Sequence, residues 1–280
     1  MLSVEPAAGV FVIPPRFSFS DRRIKMMRQP CLIINTQLPH RAGVCKHRGM
    51  KLLLLLLAFT ASVLAGDNEL TDAEKSGGWK LLFDGKDASA FWRGYKKDTL
   101  TDKWAVKDGT LALTGKGGGD IVTKDQFESF ELSIEWKISP GGNSGIMFKV
   151  QETAGPPWNT GPEAQIQDNK GGHDPQKAGW MYALYPADVD TTKPVGEWNH
   201  FVLKCQKTAA GTFKCQHTMN GTKYVEYEIG SADWNEKVAK SKFGKLPGFA
   251  KSAKGHICLQ DHGNEVAFRN IKIRELTELK

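Results

Sequence analysis

The sequence predicts an all-β domain over residues 66–280, a sandwich or barrel of short antiparallel strands. Three observations carry this reading. The segment Phe130-Glu131-Leu132-Ser133-Ile134-Glu135-Trp136 alternates apolar and polar residues strictly, which buries one face of a strand and leaves the other polar. Short β-rich runs recur between Gly, Asp and Asn turn signals along the chain. Helical periodicity is nearly absent: one helix-like piece, Ser231–Lys242, stands out, with Asp233 as its expected cap.

The elements follow in order. Trp104-Ala105-Val106 leads through Asp108-Gly109 into Thr110–Leu113, a hairpin with a two-residue turn. Phe130–Trp136 and Gly145–Val150 are strands. Phe201–Cys205 should pair with Phe213–His217 across Thr208–Gly211, and Asn220-Gly221 turns the chain into Tyr224–Tyr227. Asn220-Gly221-Thr222 matches a glycosylation sequon, but the turn explains it. Gly255–Gln260 and Val266–Arg274 are the last strands. The stretch Thr153–Pro194 interrupts this pattern. It is too long for an idle loop in a compact domain, and Trp158, Trp180, Tyr182 and Tyr185 argue against disorder.

Residues 50–65 read as a secretory signal peptide. Met50-Lys51 precedes Leu52–Leu57, and Val63 and Ala65 occupy the −3 and −1 positions before Gly66. The apolar run is shorter than the ~20 residues that span a bilayer. Met50 is then the expected start, and residues 1–49 an upstream extension, disordered and outside the fold. Export places the remaining chain in the periplasm or outside the cell. The first 65 residues hold nine of the 38 basic and two of the 31 acidic residues, so 29 of each remain. The exported chain is formally neutral, which removes the charge argument for nucleic-acid or anionic-membrane binding. Cys205 and Cys215 flank the predicted hairpin and could form a cross-strand disulfide or stay buried thiols; Cys258 reads as a small core residue.

No P-loop, Gly-x-Ser-x-Gly or Cys-x-x-Cys motif is present. The Gly-rich run Gly115–Asp120 precedes a strand, so it reads as a turn and not a phosphate cradle. Three polar clusters lie beside strands instead: Asn143-Ser144-Gly145, Glu163-Ala164-Gln165-Ile166-Gln167-Asp168, and Gln260-Asp261-His262-Gly263-Asn264. In the second, Glu163, Gln165 and Gln167 share one face and Ala164 and Ile166 the other. Any one cluster is ordinary loop polarity. Together they suggest one concave polar surface, with amides, carboxylates and aromatic rings suited to sugar hydroxyls and ring faces. Glu163, His262 and Asp168 are the candidate acid/base groups. Asn143, Ser144, Lys149, Gln165, Tyr185, Gln260 and Arg269 are the candidate substrate contacts. A divalent metal at Glu163 and His262 is conceivable, though the ligand spacing does not support one.

The same segments resemble the bacterial 3-keto-disaccharide hydrolase domain family. The match runs from Trp79-Lys80-Leu81-Leu82-Phe83-Asp84-Gly85 through Trp104–Gly109, Asp120–Thr123, Asn143–Ile146, Glu163–Ile166 with Asp168, Gly196–Asn199 and Ile257–Gly263 to Phe268–Ile271. The turn Lys207–Thr212 is longer than the family pattern. The resemblance implies a concanavalin-like jelly roll of two antiparallel sheets with a concave sugar-binding face. It also implies cleavage of glycosides whose C3 hydroxyl is already oxidised to a ketone. Such a ketone acidifies the C2 proton, so a base at C2 could expel the C1 aglycone by elimination, with Glu163 or His262 as base. The competing reading is a non-catalytic carbohydrate-binding module with the same polar face.

Overall fold

The computed structural model describes residues 66–280. The signal peptide read at 50–65 and the extension read at 1–49 lie outside the described residues.

The chain first forms a short helix α1 (Asp72–Ser76), whose cap is reciprocal: Thr71 accepts from Glu74 N and Glu74 accepts from Thr71 N. The strands follow: β1 (Lys80–Leu81), β2 (Trp92–Gly94), β3 (Trp104–Lys107), β4 (Thr110–Leu113), β5 (Ile121–Thr123), β6 (Phe130–Ile138), β7 (Asn143–Val150), β8 (Glu163–Gln167), β9 (Asn199–Lys207), β10 (Phe213–Met219) and β11 (Thr222–Ile229). Helix α2 (Ala232–Lys240) and a 3-10 turn at Lys242–Lys245 come next, then β12 (His256–Leu259) and β13 (Val266–Glu275). The cap of α2 is Ser231, which accepts from Trp234 N; Asp233 lies inside the first turn and accepts from the Tyr185 hydroxyl.

The strands form two antiparallel sheets, the expected jelly-roll class. One runs β11-β10-β9-β6-β13-β4-β3, with β1 also paired to β13; the other runs β2-β5-β12-β7-β8. Alternation dictates the packing. Phe130, Leu132, Ile134, Trp136 and Ile138 of β6 point inward with Phe201, Leu203, Phe268, Ile146, Phe148 and Ile166 to build one core. Each such side chain contributes roughly 1.5–3 kcal/mol on burial. The outward residues of β6 and β13 pair instead: Arg269 with Glu135 at 2.7 Å and Asp67 at 2.6 Å, Arg274 with Glu131 at 2.5 Å.

The Asn220-Gly221 turn forms as expected, with both residues at positive φ (49° and 80°). Asn220 is committed there, since Nδ2 donates to Thr191 O and Asn199 Oδ1. Cys205 and Cys215 face each other across β9 and β10 with Sγ atoms 3.1 Å apart, as two buried thiols. Among the described residues no helix is long and apolar enough to cross a membrane.

The stretch 153–194 is ordered by the sheet edge. The chain at Gly179–Tyr185 runs along the free side of β8: Gln165 N donates to Trp180 O, Gly179 N to Gln165 O, and Tyr182 N to Glu163 O. The edge of the smaller sheet is thereby covered, and Tyr182 is held beside Glu163.

Candidate functional site

The outer face of the smaller sheet holds a cleft of about 250 Å³. Its floor comes from three neighbouring strands. β7 and β8 pair with Gly145 opposite Gln165 and Met147 opposite Glu163, and the end of β12 joins β7 where Gln260 N donates to Gly145 O. Residues that point out of this face are Asn143 and Gly145 on β7 and Glu163 and Gln165 on β8, because Ile146, Phe148, Ala164 and Ile166 point into the core. Gln260 and His262 close one side. Trp158, Asp174, Tyr182 and Lys242 form the walls.

Glu163 lies at the bottom and is 5% exposed. Burial pushes its carboxyl up to about 8, against a smaller opposing pull from Lys242. With its amide turned to satisfy both neighbours, Gln165 donates to Ser144 O and to Glu163 Oε1, each at 3.2 Å. Room for the carboxylate depends on Gly145. A Cβ at that position would stand 2.2 Å from Glu163 Oε1 and 2.8 Å from its Cδ.

The walls are built by hydrogen bonds and stacking. Tyr182 Oη donates to Asp174 Oδ2 at 2.8 Å. Burial and this carboxylate raise the phenol above its ordinary range. The Lys242 ammonium sits 4.1 Å from the centre of the Tyr182 ring, placed by the 3-10 turn that follows α2. Trp158, at the head of the cleft on a turn at Pro157–Asn159, is 40% exposed. Asn143 and Gln260 also line the cleft, and Asn143 Oδ1 and Gln260 Oε1 are buried without a hydrogen-bond partner.

His262 is exposed at the rim. Its loop is latched to the Gly-rich run: Asp261 Oδ2 accepts from Gly119 N at 2.7 Å, and Asp261 N donates to Asp120 Oδ1 at 2.9 Å. The Gly-rich run therefore serves as the expected turn. Burial pushes the Asp120 carboxyl up to about 6, and the nearby Asp261 carboxylate adds to the effect.

Of the predicted residues, Glu163, His262, Asn143, Gln165 and Gln260 come together in this cleft. Five others lie elsewhere. Asp168 ends β8 and closes a turn, its carboxylate accepting from Gly141 N at 2.9 Å and Lys170 N at 3.0 Å. Burial would raise that carboxyl, but the backbone donors Gly141, Gly171 and Lys170 together hold it below its usual range. Ser144 points inward and donates to Gln260 O at 2.8 Å, so it holds the end of β12 and does not face the cleft.

Lys149 is the clearest displacement. Simple alternation puts it on the face of Asn143 and Gly145. Instead its backbone is left-handed (φ 56°), where the β7–β12 register slips. The side chain swings under the sheet to donate to Ser252 O and Ala253 O, with Nζ 3.2 Å from the centre of the Phe213 ring. Tyr185 stacks on Tyr227 (5.1 Å) and Trp234 (6.1 Å) beneath α2. Arg269 lies on the outer face of the other sheet, 4.4 Å from the centre of the Trp198 ring.

Sequence reasoning missed Asp174 and Lys242 as site residues, and named Trp158 and Tyr182 only as loop aromatics. Glu163, Asp174 and His262 all line the cleft, yet among the described residues no three His, Cys, Asp or Glu groups gather closely enough to hold a metal ion.

Comparison with known proteins places the chain in a family. A 3-keto-disaccharide hydrolase of Bacteroides thetaiotaomicron is 33% identical over 234 residues, covering 71% of this chain and 79% of that protein. A solved Parabacteroides distasonis protein, described provisionally as a glycosyl hydrolase, is 34% identical with a TM-score of 0.69, covering 75% of this chain and all of that one. A second such structure from the same organism is 30% identical with a TM-score of 0.53, over 71% of this chain and 99% of that one. The family model of the 3-keto-alpha-glucoside-1,2-lyase-like domain matches residues 78–274, from before β1 to within β13, and the chain belongs to that family.

Proposed function

We propose that this chain cleaves 3-keto-glycosides by elimination: a base removes the C2 proton, and the C1 aglycone leaves. The observation that carries this reading is Glu163, a buried carboxyl raised to about 8 at the floor of a cleft that it shares with three amides, two aromatic rings, His262, Lys242 and the Asp174 carboxylate, which accepts from Tyr182. A base tuned near neutrality suits abstraction of a carbon acid.

Glu163 carboxylate takes the C2 proton, and the electron pair moves onto the C3 ketone oxygen as an enolate. The Lys242 ammonium and the cleft amides stabilise that oxygen. The enolate then collapses, forming the C1–C2 double bond and breaking the C1–O bond, and His262 gives a proton to the departing oxygen. Water afterwards adds across the double bond, releasing the 3-keto sugar. No oxocarbenium-like transition state is needed, and so no carboxylate pair flanking the glycosidic bond.

The test is turnover of 3-keto-trehalose and 3-keto-lactose with hydrogen or deuterium at C2. Elimination predicts a primary isotope effect and a transient enone; direct attack at C1 predicts neither. Binding of the unoxidised disaccharides with no turnover of the 3-keto forms would identify a carbohydrate-binding module instead. His262→Ala should slow glycosides with poor leaving groups and spare aryl glycosides, whose aglycones need no proton; equal loss on both would remove His262 from the acid role. Trp158→Ala should raise KM about three- to tenfold with little change in kcat, as expected for a ring that stacks equally on ground and transition states. We also propose export through residues 50–65, which N-terminal sequencing of the exported protein checks by a start at Gly66.

A further inference from the structure

Cys205 and Cys215 take no part in the cleft. They lie directly opposite each other in the β9–β10 hairpin, with both side chains in the core. In an antiparallel pair, opposed residues alternate between those that exchange backbone hydrogen bonds and those that do not, and the second kind stand closer together. The hairpin's own bonds assign this pair. Thr208 N donates to Thr212 O at the turn, one step beyond Lys207 opposite Phe213. Counting back along the register, Gln206 opposite Lys214 is again a hydrogen-bonded pair, and Cys205 opposite Cys215 is not. Lys207 has the matching parity: its N–H turns away from β10 and donates to Ser129 Oγ beside β6. Such a site brings the Cα atoms to roughly 4.5 Å, inside the span of about 4.4–6.8 Å that a disulfide bridges. The Sγ atoms stand 3.1 Å apart, about 1 Å beyond the length of an S–S bond.

The third cysteine of the described residues has a different setting. Cys258 lies on β12 in the smaller sheet and packs with Val122, Met147 and Val150. Cys205 and Cys215 are 0% and 1% exposed, and burial pushes the Cys215 thiol well above its ordinary value. A buried thiol is a poor nucleophile, so the folded pair does not exchange with outside disulfides. Before the core closes, both thiols face solvent on one short hairpin.

We propose that Cys205 and Cys215 form a structural disulfide while the chain folds in the compartment to which it is exported. The inference rests on the export proposed above, because exported compartments sustain disulfides and the cytoplasm keeps thiols reduced. The co-reactant is the disulfide of a protein thiol oxidant. The thiolate of one cysteine attacks a sulfur of that disulfide and gives a mixed disulfide. The thiolate of the other cysteine then attacks this chain's sulfur in the mixed bond and releases the oxidant as a dithiol. One S–S bond forms here and one breaks in the oxidant, which gains two electrons and two protons. The new bond closes the loop around Thr208–Gly211 and ties β9 to β10 in the larger sheet. The cleft floor, on β7, β8 and β12 of the other sheet, is not part of that loop.

The test is a peptide map of the protein exported from the full chain, alkylated in denaturant without reduction. Trypsin cuts after Lys204, Lys207, Lys214 and Lys223, so the bonded pair is released as residues 205–207 joined to residues 215–223. The joined peptide is expected, with Cys258 alkylated as the free thiol, and it should vanish when reductant precedes the alkylation. Alkylation of Cys205, Cys215 and Cys258 alike in a chain that starts at Gly66 overturns the proposal, since export has then succeeded and the thiols have stayed reduced. A bond from Cys258 to either partner overturns it too. A chain that is not exported refutes the signal-peptide reading by itself. The same protein, refolded with reduced and oxidised glutathione, then decides: the joined peptide supports the bond, and free Cys205 and Cys215 refute it. The bonded protein should melt about 5–10 °C above the same protein refolded with reductant. The double variant Cys205→Ala and Cys215→Ala should melt alike with and without reductant. A native melting point indifferent to reductant would remove the bond's structural role.

Discussion

Glu163→Gln is expected to lower kcat on a 3-keto-glucoside by about 10²- to 10⁴-fold, the usual worth of a positioned base. The change keeps the shape and the contact with Gln165 and removes only the group that takes a proton. The pH profile separates this from a structural effect. With its carboxyl pushed up to about 8, Glu163 is largely protonated at neutrality, so kcat/KM of the native enzyme should rise with pH and level off above about 8. The Gln variant should lose that limb. Stability should move the other way. Between the ordinary glutamate value of 4.5 and about 8, the folded state holds a proton that the unfolded state has released. Folding stability therefore falls as pH rises through this window. Glu163→Gln removes the penalty, so its melting temperature at alkaline pH should equal or exceed that of the native protein. A variant that melts earlier at pH 8, or that keeps a native pH profile, would take the base assignment away from Glu163.

The cleft could be read from the sequence to the extent that it depends on strand alternation. Glu163 and Gln165 alternate with Ala164 and Ile166, so their shared face follows from the period of a strand. Asn143 and Gln260 converge on them because β7 lies between β8 and β12. Alternation fails where the backbone departs from the pleat. Lys149 leaves the cleft face through a single left-handed residue, which nothing in Phe148-Lys149-Val150 announces. Arg269 was correctly placed on a strand, but the strand joins the other sheet, and sheet membership is a long-range property. Lys242 and Asp174 reach the cleft from a turn after α2 and from the loop beyond β8. Their positions depend on packing that local pattern does not encode. Asp168 shows the converse error: a carboxylate next to a functional strand satisfied three turn amides instead.

Gly145→Ala is expected to cost nearly as much activity as Glu163→Gln while leaving the fold intact. Gly145 does not need the left-handed region, so alanine carries no backbone strain there. What alanine meets is the end of a side chain: its methyl would lie 2.2 Å from Glu163 Oε1, well inside van der Waals contact. The carboxylate is the movable partner and must leave the floor of the cleft, breaking its contact with Gln165. A base displaced by even 1 Å loses on the order of 10²-fold in rate. Circular dichroism and the melting curve should remain close to native, since Gly145 sits on the outer face of the sheet and not in the core. The decisive measurement is the double variant. If Gly145 acts only by giving room to Glu163, then Gly145→Ala combined with Glu163→Gln should be no slower than Glu163→Gln alone, a fully non-additive cycle. Additive losses would mean that Gly145 contributes through the substrate, by close approach of the backbone to the sugar ring, and that the floor of the cleft is bare backbone and not carboxylate.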